Sequence, residues 1–382
     1  MQVLSVSVGW QVYEITRDPL ALGFVGLAQF GPMFALTLYA GDVADRYERR
    51  VVLALANFVS GVCAALFLCL SYWNVTDTAA FYAVLVLFGI ARAFSGPAGQ
   101  SLLPLLVPEK HLPQAISWSS SVFQVAVISG PALGGAALAW GATVAYALSA
   151  ALFASVVMAL FAIRVTTPKR EGVEGAAIER LLAGIAYVRN KRILFGAISL
   201  DLFAVLLGGA TGLLPIFAKD ILHVGPDGLG WLRAGPAIGA AAMSIALGFL
   251  PLMRHAGWKM FLCVALFGGA TIVFGLSQNF FLSLAALIVL GATDMVSVNV
   301  RHSLTQLTTP DHMRGRVSAV SMLFIGASNE LGEFESGVTA RWWGTVPAVV
   351  VGGLGTLGIV ALWAYWFPEL RKVDRLTELK AG

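Results

Sequence analysis

The stretch Gly41-Asp42-Val43-Ala44-Asp45-Arg46-Tyr47-Glu48-Arg49-Arg50 is a densely charged loop between two apolar runs, residues 20–40 and 51–71. At about 1.5 Å per residue, each run makes a helix of about 30 Å, the thickness of a bilayer's hydrocarbon core. The reading is membrane helix, charged turn, membrane helix, and the same alternation extends in both directions. Further apolar runs lie at 1–15, 79–107, 114–139, 143–163, 193–218, 229–252, 260–277, 280–308, 317–340 and 345–367. Twelve spans result, the first of them short. The runs are continuous and do not alternate, which excludes a transmembrane β-barrel. The expected fold class is an all-α membrane protein.

Composition agrees. Of 382 residues, 58% are hydrophobic and 12% charged, about half the charge of an ordinary soluble domain. Mean hydropathy is +0.80. Such a chain cannot clothe a water-soluble globule in polar surface, which excludes a cytosolic enzyme, a secreted domain and a disordered chain. The net charge is +4. The basic residues sit in short loops between apolar runs, so they read as topology signals and not as a nucleic-acid surface. Cys63, Cys69 and Cys263 all fall inside apolar stretches, in odd number and without ligand spacing, so neither a disulfide framework nor a zinc site is expected. No metal and no cofactor is expected.

Nineteen of the 25 Lys and Arg residues lie in one set of alternate loops and in the C-terminal tail. The opposite loops hold three, Arg17, Lys219 and Arg341, while Arg92, Arg233 and Arg301 lie inside spans. This bias puts the 41–50 loop, the central loop and the C-terminus in the cytoplasm. The long polar stretch 164–192 is that central loop, with an amphipathic helix expected near 178–188. It separates an N-terminal six-helix bundle, 1–163, from a C-terminal one, 193–382.

The halves resemble each other. At a shift of 202 residues Gly89 meets Gly291, Pro108-Glu109 meets Pro310-Asp311, and Gly130 meets Gly332. At a shift of 207, Leu22-Gly23 meets Leu229-Gly230, and Gly41 meets Gly248. Six spans per half keep both halves in one orientation, so the repeat is parallel, about an axis along the membrane normal. By the same register, some ten to fifteen helical residues would precede Met1. Met1 to Thr16 rises only about 24 Å, short of the hydrocarbon core. Either span 1 is truncated or translation starts upstream, and the second is favoured.

The Gly41–Arg50 stretch resembles the signature between helices 2 and 3 of the major facilitator superfamily: Gly, then Asp-Arg, then paired basic residues. Gly130-Pro131-Ala132-Leu133-Gly134-Gly135 in span 5 is similar to the glycine-proline motif of its proton-antiporting exporters, and Arg92 occupies the place of the family's helix-4 arginine. Trp10-Gln11-Val12-Tyr13, Ser199-Leu200-Asp201-Leu202-Phe203 and Ser328-Asn329-Glu330-Leu331-Gly332-Glu333-Phe334 resemble the branch that includes the enterobactin exporter. The resemblance covers essentially the whole chain. It implies the major facilitator fold, a bacterial inner-membrane location, and a central cavity lined by spans 1, 4, 7 and 10. Two departures stand out: span 1 is short, and the second-half counterpart of the loop keeps Gly248, Arg254 and Lys259 but lacks its acid.

Candidate functional residues follow from charge at depth. Arg92 lies about 18 Å into span 4, its repeat partner Asp294 is similarly deep in span 10, and Asp201 lies about 12 Å into span 7. An unpaired charge at the midplane costs about 2.5–3.5 kcal/mol, so such residues face the bundle interior or a wet cavity. The implied cavity would bring the three towards one another, as substrate or proton contacts or as an ion pair joining the halves. Span 11 carries Glu330, Glu333 and Glu335. Glu330 and Glu333 lie about 60° apart on one face, where both cannot ionise cheaply, which suits proton coupling; Glu335 points away. In the loop, Gly41 is expected to permit close helix approach, Asp45 to cap a helix or pair across the seam between halves, and Arg46, Arg49 and Arg50 to bridge helices as a gate; the alternative is that the arginines only set topology. Gly130, Pro131, Gly134 and Gly135 read as helix packing. Arg301, near the end of span 10, is expected to snorkel, and Arg233 is ambiguous.

No Walker sequence exists, and the five histidines lie in loops or near span ends, so neither ATP hydrolysis nor an embedded enzyme is supported. The function expected is a secondary active transporter exporting a small organic solute against proton entry by alternating access; the alternatives are a passive uniporter and a non-transporting membrane sensor. The partners expected are a small-molecule substrate, protons and the lipid bilayer, with no nucleic acid, and the chain is expected to act as a monomer.

Overall fold

The computed structural model describes residues 1–163, 177–249 and 255–374. The side chains of Leu38, Ala44, Asp45, Glu109, Ala177, Ile178, Arg180, Asp311 and His312 lie outside the described set, as do Arg164, Lys169, Arg170, Arg254, Arg375 and Lys380 of the topology argument. Among the described residues there is no strand. The long helices are α1 (Gln2–Thr16), α2 (Pro19–Arg46), α3 (Arg49–Tyr72), α4 (Thr78–Leu106), α5 (Leu112–Ala139), α6 (Ala142–Ala162), α7 (Ala177–Asn190) and α8 (Arg192–Leu207). After a short α9 (Leu214–Ile216) come α10 (Gly225–Phe249), α11 (Ala256–Leu276), α12 (Phe280–Thr308), α13 (Asp311–Trp343), α14 (Thr345–Trp366) and α15 (Pro368–Arg371). Among the described residues, ten spans are long and apolar enough to cross a membrane. The 15-residue α1 is too short for that test, and α13 is too polar, with Arg314, Arg316, Glu330, Glu333, Glu335 and Arg341 along its length.

Helix starts carry their own caps. Asp18 accepts from Leu20 N at 3.0 Å before α2, Asp77 from Ala79 N at 2.9 Å before α4, and Asn279 from Phe281 N at 2.9 Å before α12. Each side-chain oxygen answers a backbone donor that the helix itself leaves open. One expected helix is broken. Span 7, read as continuous over 193–218, is α8 followed by a 3-10 turn at Ala210–Leu213, then α9, then a π turn at Phe217–Ile221. Gly208, Gly209 and Gly212 weaken the helix, and Pro215 removes a backbone donor; hydropathy is blind to both.

The chain forms two compact units: Met1–Ala177 with Gly225–Trp231, and Ile178–Val224 with Leu232–Gly382. In the first, Phe67 stacks on Phe81 and Tyr146 at 5.9 and 5.5 Å, and Tyr146 Oη donates to Gln11 Oε1 at 2.7 Å. In the second, Leu194, Leu200, Phe261, Val300 and Trp363 form the core. The amphipathic α7 lays Leu181, Ile185 and Val188 on Ile198, Val317 and Val320 of that unit, and Tyr187 Oη donates to Thr308 O at 3.0 Å.

Lipid is as apolar as leucine, so helices here associate through close packing and polar contacts. The repeat is visible at that level. A methyl built on Gly89 of α4 would run into the backbone carbonyl of Gln29 on α2, and one on Gly291 of α12 into that of Pro236 on α10. Gly89 and Gly291 are 202 residues apart and Gln29 and Pro236 are 207 apart, the two shifts read from the sequence. Arg92 and Asp294 each stand three residues beyond the crossing, so equivalent sites carry opposite charges.

Candidate functional site

Among the described residues, the most deeply buried charges belong to the second unit. Asp201 lies nine residues into α8 and Arg301 seven residues from the end of the antiparallel α12, about 13 Å and about 10 Å along their helices. Arg301 Nη1 pairs with Asp201 Oδ1. Arg301 is 3% exposed and Asp201 6%. Arg301 therefore does not snorkel as expected: an acid on the neighbouring helix holds it inward. Sequence reasoning looks to Arg92 for the cation answering Asp201; the structure supplies Arg301 from the same unit. Asp294 precedes Arg301 by seven residues, two helical turns, so the two lie about 20° apart on one face of α12. Polar contacts hold α8 in register with α14: Trp363 Nε1 donates to Ser199 Oγ at 2.9 Å, and Thr356 Oγ1 to Ala204 O at 3.0 Å.

A second cluster forms where span 7 breaks. Glu333 Oε1 on α13 accepts from Thr211 Oγ1 at 3.4 Å and lies 3.8 Å from Arg233 Nη2 on α10. Arg233, ambiguous in sequence, thus faces an acid, and Thr211 gives no signal in sequence because its role depends on the break. Both charged side chains keep about a fifth of their surface exposed, at 23% and 21%, so this pair is looser and wetter than Arg301–Asp201. Glu330 and Glu335 are partly exposed. Among the described residues no group of three or more His, Cys, Asp or Glu could hold a metal ion.

In the first unit Arg92 Nη1 donates to Gln29 Oε1 at 3.2 Å, and Gln29 Nε2 donates to Val25 O at 3.2 Å. A neutral amide, and not an acid, thus answers Arg92. Two arginines of the charged loop serve as staples. Arg49 Nη1 donates to Ser101 O on α4 at 2.8 Å, and Arg50 Nη1 to Ile163 O, just past α6, at 2.5 Å. The carbonyl of Ile163 follows the end of α6, where carbonyls lack helical partners and carry partial negative charge, which a guanidinium answers. Arg50→Gln should lower the unfolding free energy by about 1–2 kcal/mol, the scale of a charged hydrogen bond. The thermal midpoint of the reconstituted protein measures this, and an unchanged midpoint would remove the stapling role. Arg46 is exposed, and the Asp45 side chain lies outside the described residues. The rationale for Gly41 is corrected: a methyl there would meet nothing within 4 Å, so no close helix approach requires the glycine. Gly130 and Gly134 instead take the backbone and side chains of Gln2 and Val3 on α1, and Gly135 takes the start of α10.

The sequence model of the transmembrane secretion effector family matches residues 1–380. The chain belongs to that family, within the major facilitator superfamily. It is 25% identical over 375 residues to the enterobactin exporter EntS of Shigella boydii serotype 18, covering 97% of this chain and 89% of the relative. The fold is similar to that of the nucleoside transporter NupG, with a TM-score of 0.71 at 17% identity and 97% of each chain covered. It is also similar to that of the peptide transporter POT, solved as a point mutant, with a TM-score of 0.73 at 11% identity over 98% of this chain and 94% of the other. At these identities the structural likeness speaks for the fold alone. Family membership makes the chain a multi-pass membrane transporter and not an enzyme.

Proposed function

We propose that the chain is a secondary active exporter of small organic molecules, siderophore-like or drug-like, driven by proton entry across a bacterial inner membrane. One observation carries the coupling: two acids stand at depth in the second unit, the buried Asp201 and the partly exposed Asp294, with one buried cation, Arg301, which pairs with Asp201. A net negative charge at that depth in a span is costly until a proton neutralises it. A group that is charged in one state and neutral in another can link proton entry to alternating access. Glu330 and Glu333 form a further candidate pair on the proton path. Arg92, which donates to the neutral amide of Gln29, is assigned to an acidic or hydroxylated group of the substrate. The positive-inside bias supports cytoplasmic placement of the 41–50 loop, where Asp45 and Arg46 act in gating.

The test is accumulation of enterobactin, the substrate named for the relatives, by proteoliposomes with an acidic lumen. Wild-type protein is expected to concentrate it. Of Asp201→Asn, Asp294→Asn and Glu330→Gln, at least one is expected to abolish accumulation while retaining downhill exchange, because an amide keeps the shape and removes the proton site. Accumulation by all three would make these carboxylates structural. Equilibration without accumulation by wild type would make the protein a passive uniporter.

A further inference from the structure

Resting on the reading of the chain as proton-coupled, we infer that the transferable proton sits on Asp294, and that Arg301 with Asp201 is a fixed counter-charge pair that keeps that site a one-proton site. The two acids are not equivalent. Asp201 has Arg301 against it, both nearly free of solvent, and an ion pair of that burial is expensive to open because it would strand a charge. Asp294 sits two turns deeper along α12, on the Arg301 face but beyond its direct pair. Three charges therefore sum to one excess negative charge, and the excess resides on the acid that lacks a cation of its own. A carboxylate in that position is cheaper neutral than ionised.

Other charges do not upset this count. On its own helix Asp294 has Arg301 two turns away on the same face, and across on α8 the acid is Asp201, which Arg301 pairs with. On α11 the charge is Lys259, three residues into that helix, which acts on Cys263. On α10 it is Arg233, which faces Glu333 of α13, and Glu330 of α13 has interactions of its own. The step is a plain proton transfer: a proton adds to an Asp294 carboxylate oxygen from the acidic side, and the same proton leaves to the other side once access has switched. Asp201 and Arg301 exchange nothing. Arg301 is thus a positioning residue.

The arrangement has a consequence that a merely structural pair would lack. Asp201→Asn should free Arg301 to neutralise Asp294, which would then hold no proton. Asp201→Asn with Arg301→Gln removes one charge of each sign, restores the excess, and returns the proton to Asp294. The readout is the carbonyl stretch of a protonated carboxyl in infrared difference spectra of the full chain in lipid, taken across a pH titration, which needs no substrate. The titrating band is expected in wild type, absent in Asp294→Asn, absent in Asp201→Asn, and present again in the double variant. A band that survives Asp294→Asn, one that fails to return in a folded double variant, or no titrating band in wild type would each overturn the assignment. Enterobactin accumulation in the same preparations is the second arm. A gradient of about one pH unit drives at most about tenfold accumulation per proton; that gain should vanish in Asp294→Asn and in Asp201→Asn and come back in the double variant. If the infrared pattern holds and no variant, wild type included, accumulates enterobactin, the proton site stands and the transport reading falls.

Discussion

Arg301→Gln should lower the unfolding free energy by about 3–5 kcal/mol, the cost of breaking a buried ion pair by removing one partner. At 3% exposure the guanidinium has no water to replace, and its removal leaves two acids at depth, Asp201 on α8 and Asp294 on α12, without that cation. Both must then take up protons, or the helices must separate to admit water. Asp201→Asn/Arg301→Gln should recover most of the loss, because neutral groups of similar size in place of a buried pair are often tolerated. Arg192 makes the opposite control. It lies 3.2 Å from Glu369, but the two side chains are 66% and 41% exposed, so Arg192→Gln should cost no more than about 1 kcal/mol. Thermal midpoints of the three variants in one lipid composition check the ranking. A wild-type midpoint for Arg301→Gln would mean that the pair is not buried in the folded protein.

The same residue marks where sequence reasoning runs out. Spans are legible because a bilayer demands long unbroken apolar runs, and the repeat is legible because glycines are forced wherever backbones cross, as at Gly89 and Gly291. Charge at depth is legible as well: Arg92, Asp201 and Asp294 stand inside helices. What a linear reading does not supply is rotation. Arg301 is close enough to the end of α12 for its long side chain to reach water, and only the facing acid on α8 turns it inward. The seven-residue spacing from Asp294 to Arg301 places both on one face, and that spacing becomes informative once it is joined to the need of Asp201 for a partner. Span 7 fails for a different reason. A hydropathy run passes through Gly208-Gly209 and Pro215 without interruption, although backbone chemistry stops the helix there, and with that break goes Thr211 as a partner of Glu333. At Gly41 the error runs the other way, since a glycine in a family-like loop suggests a close contact that its surroundings do not contain.

Gly135→Val should destabilise the first unit by about 1–3 kcal/mol, and folded protein and transport should be lost in proportion. The first seven residues of α10, Gly225–Trp231, belong to that unit and cross α5 at this glycine. A methyl built on Gly135 would lie 2.5 Å from Pro226 O and 2.8 Å from Gly230 Cα. From the other side, a methyl on Gly230 would lie 2.8 Å from Pro131 O and 3.1 Å from Ala132 Cα. Every one of these neighbours is backbone, so no side-chain rotation relieves the clash and the two helices must move apart. Separation forfeits the close contact that holds helices together where the surrounding lipid offers no hydrophobic drive. Gly41→Ala is the matched control: with open space around it, the added methyl should cost nothing and raise stability by the small amount by which alanine exceeds glycine in a helix, about 0.5–1 kcal/mol. If Gly135→Val keeps the wild-type midpoint but loses transport, the span-5 motif acts in the conformational cycle and not in assembly, and the packing role assigned to Gly130, Pro131, Gly134 and Gly135 must be given up.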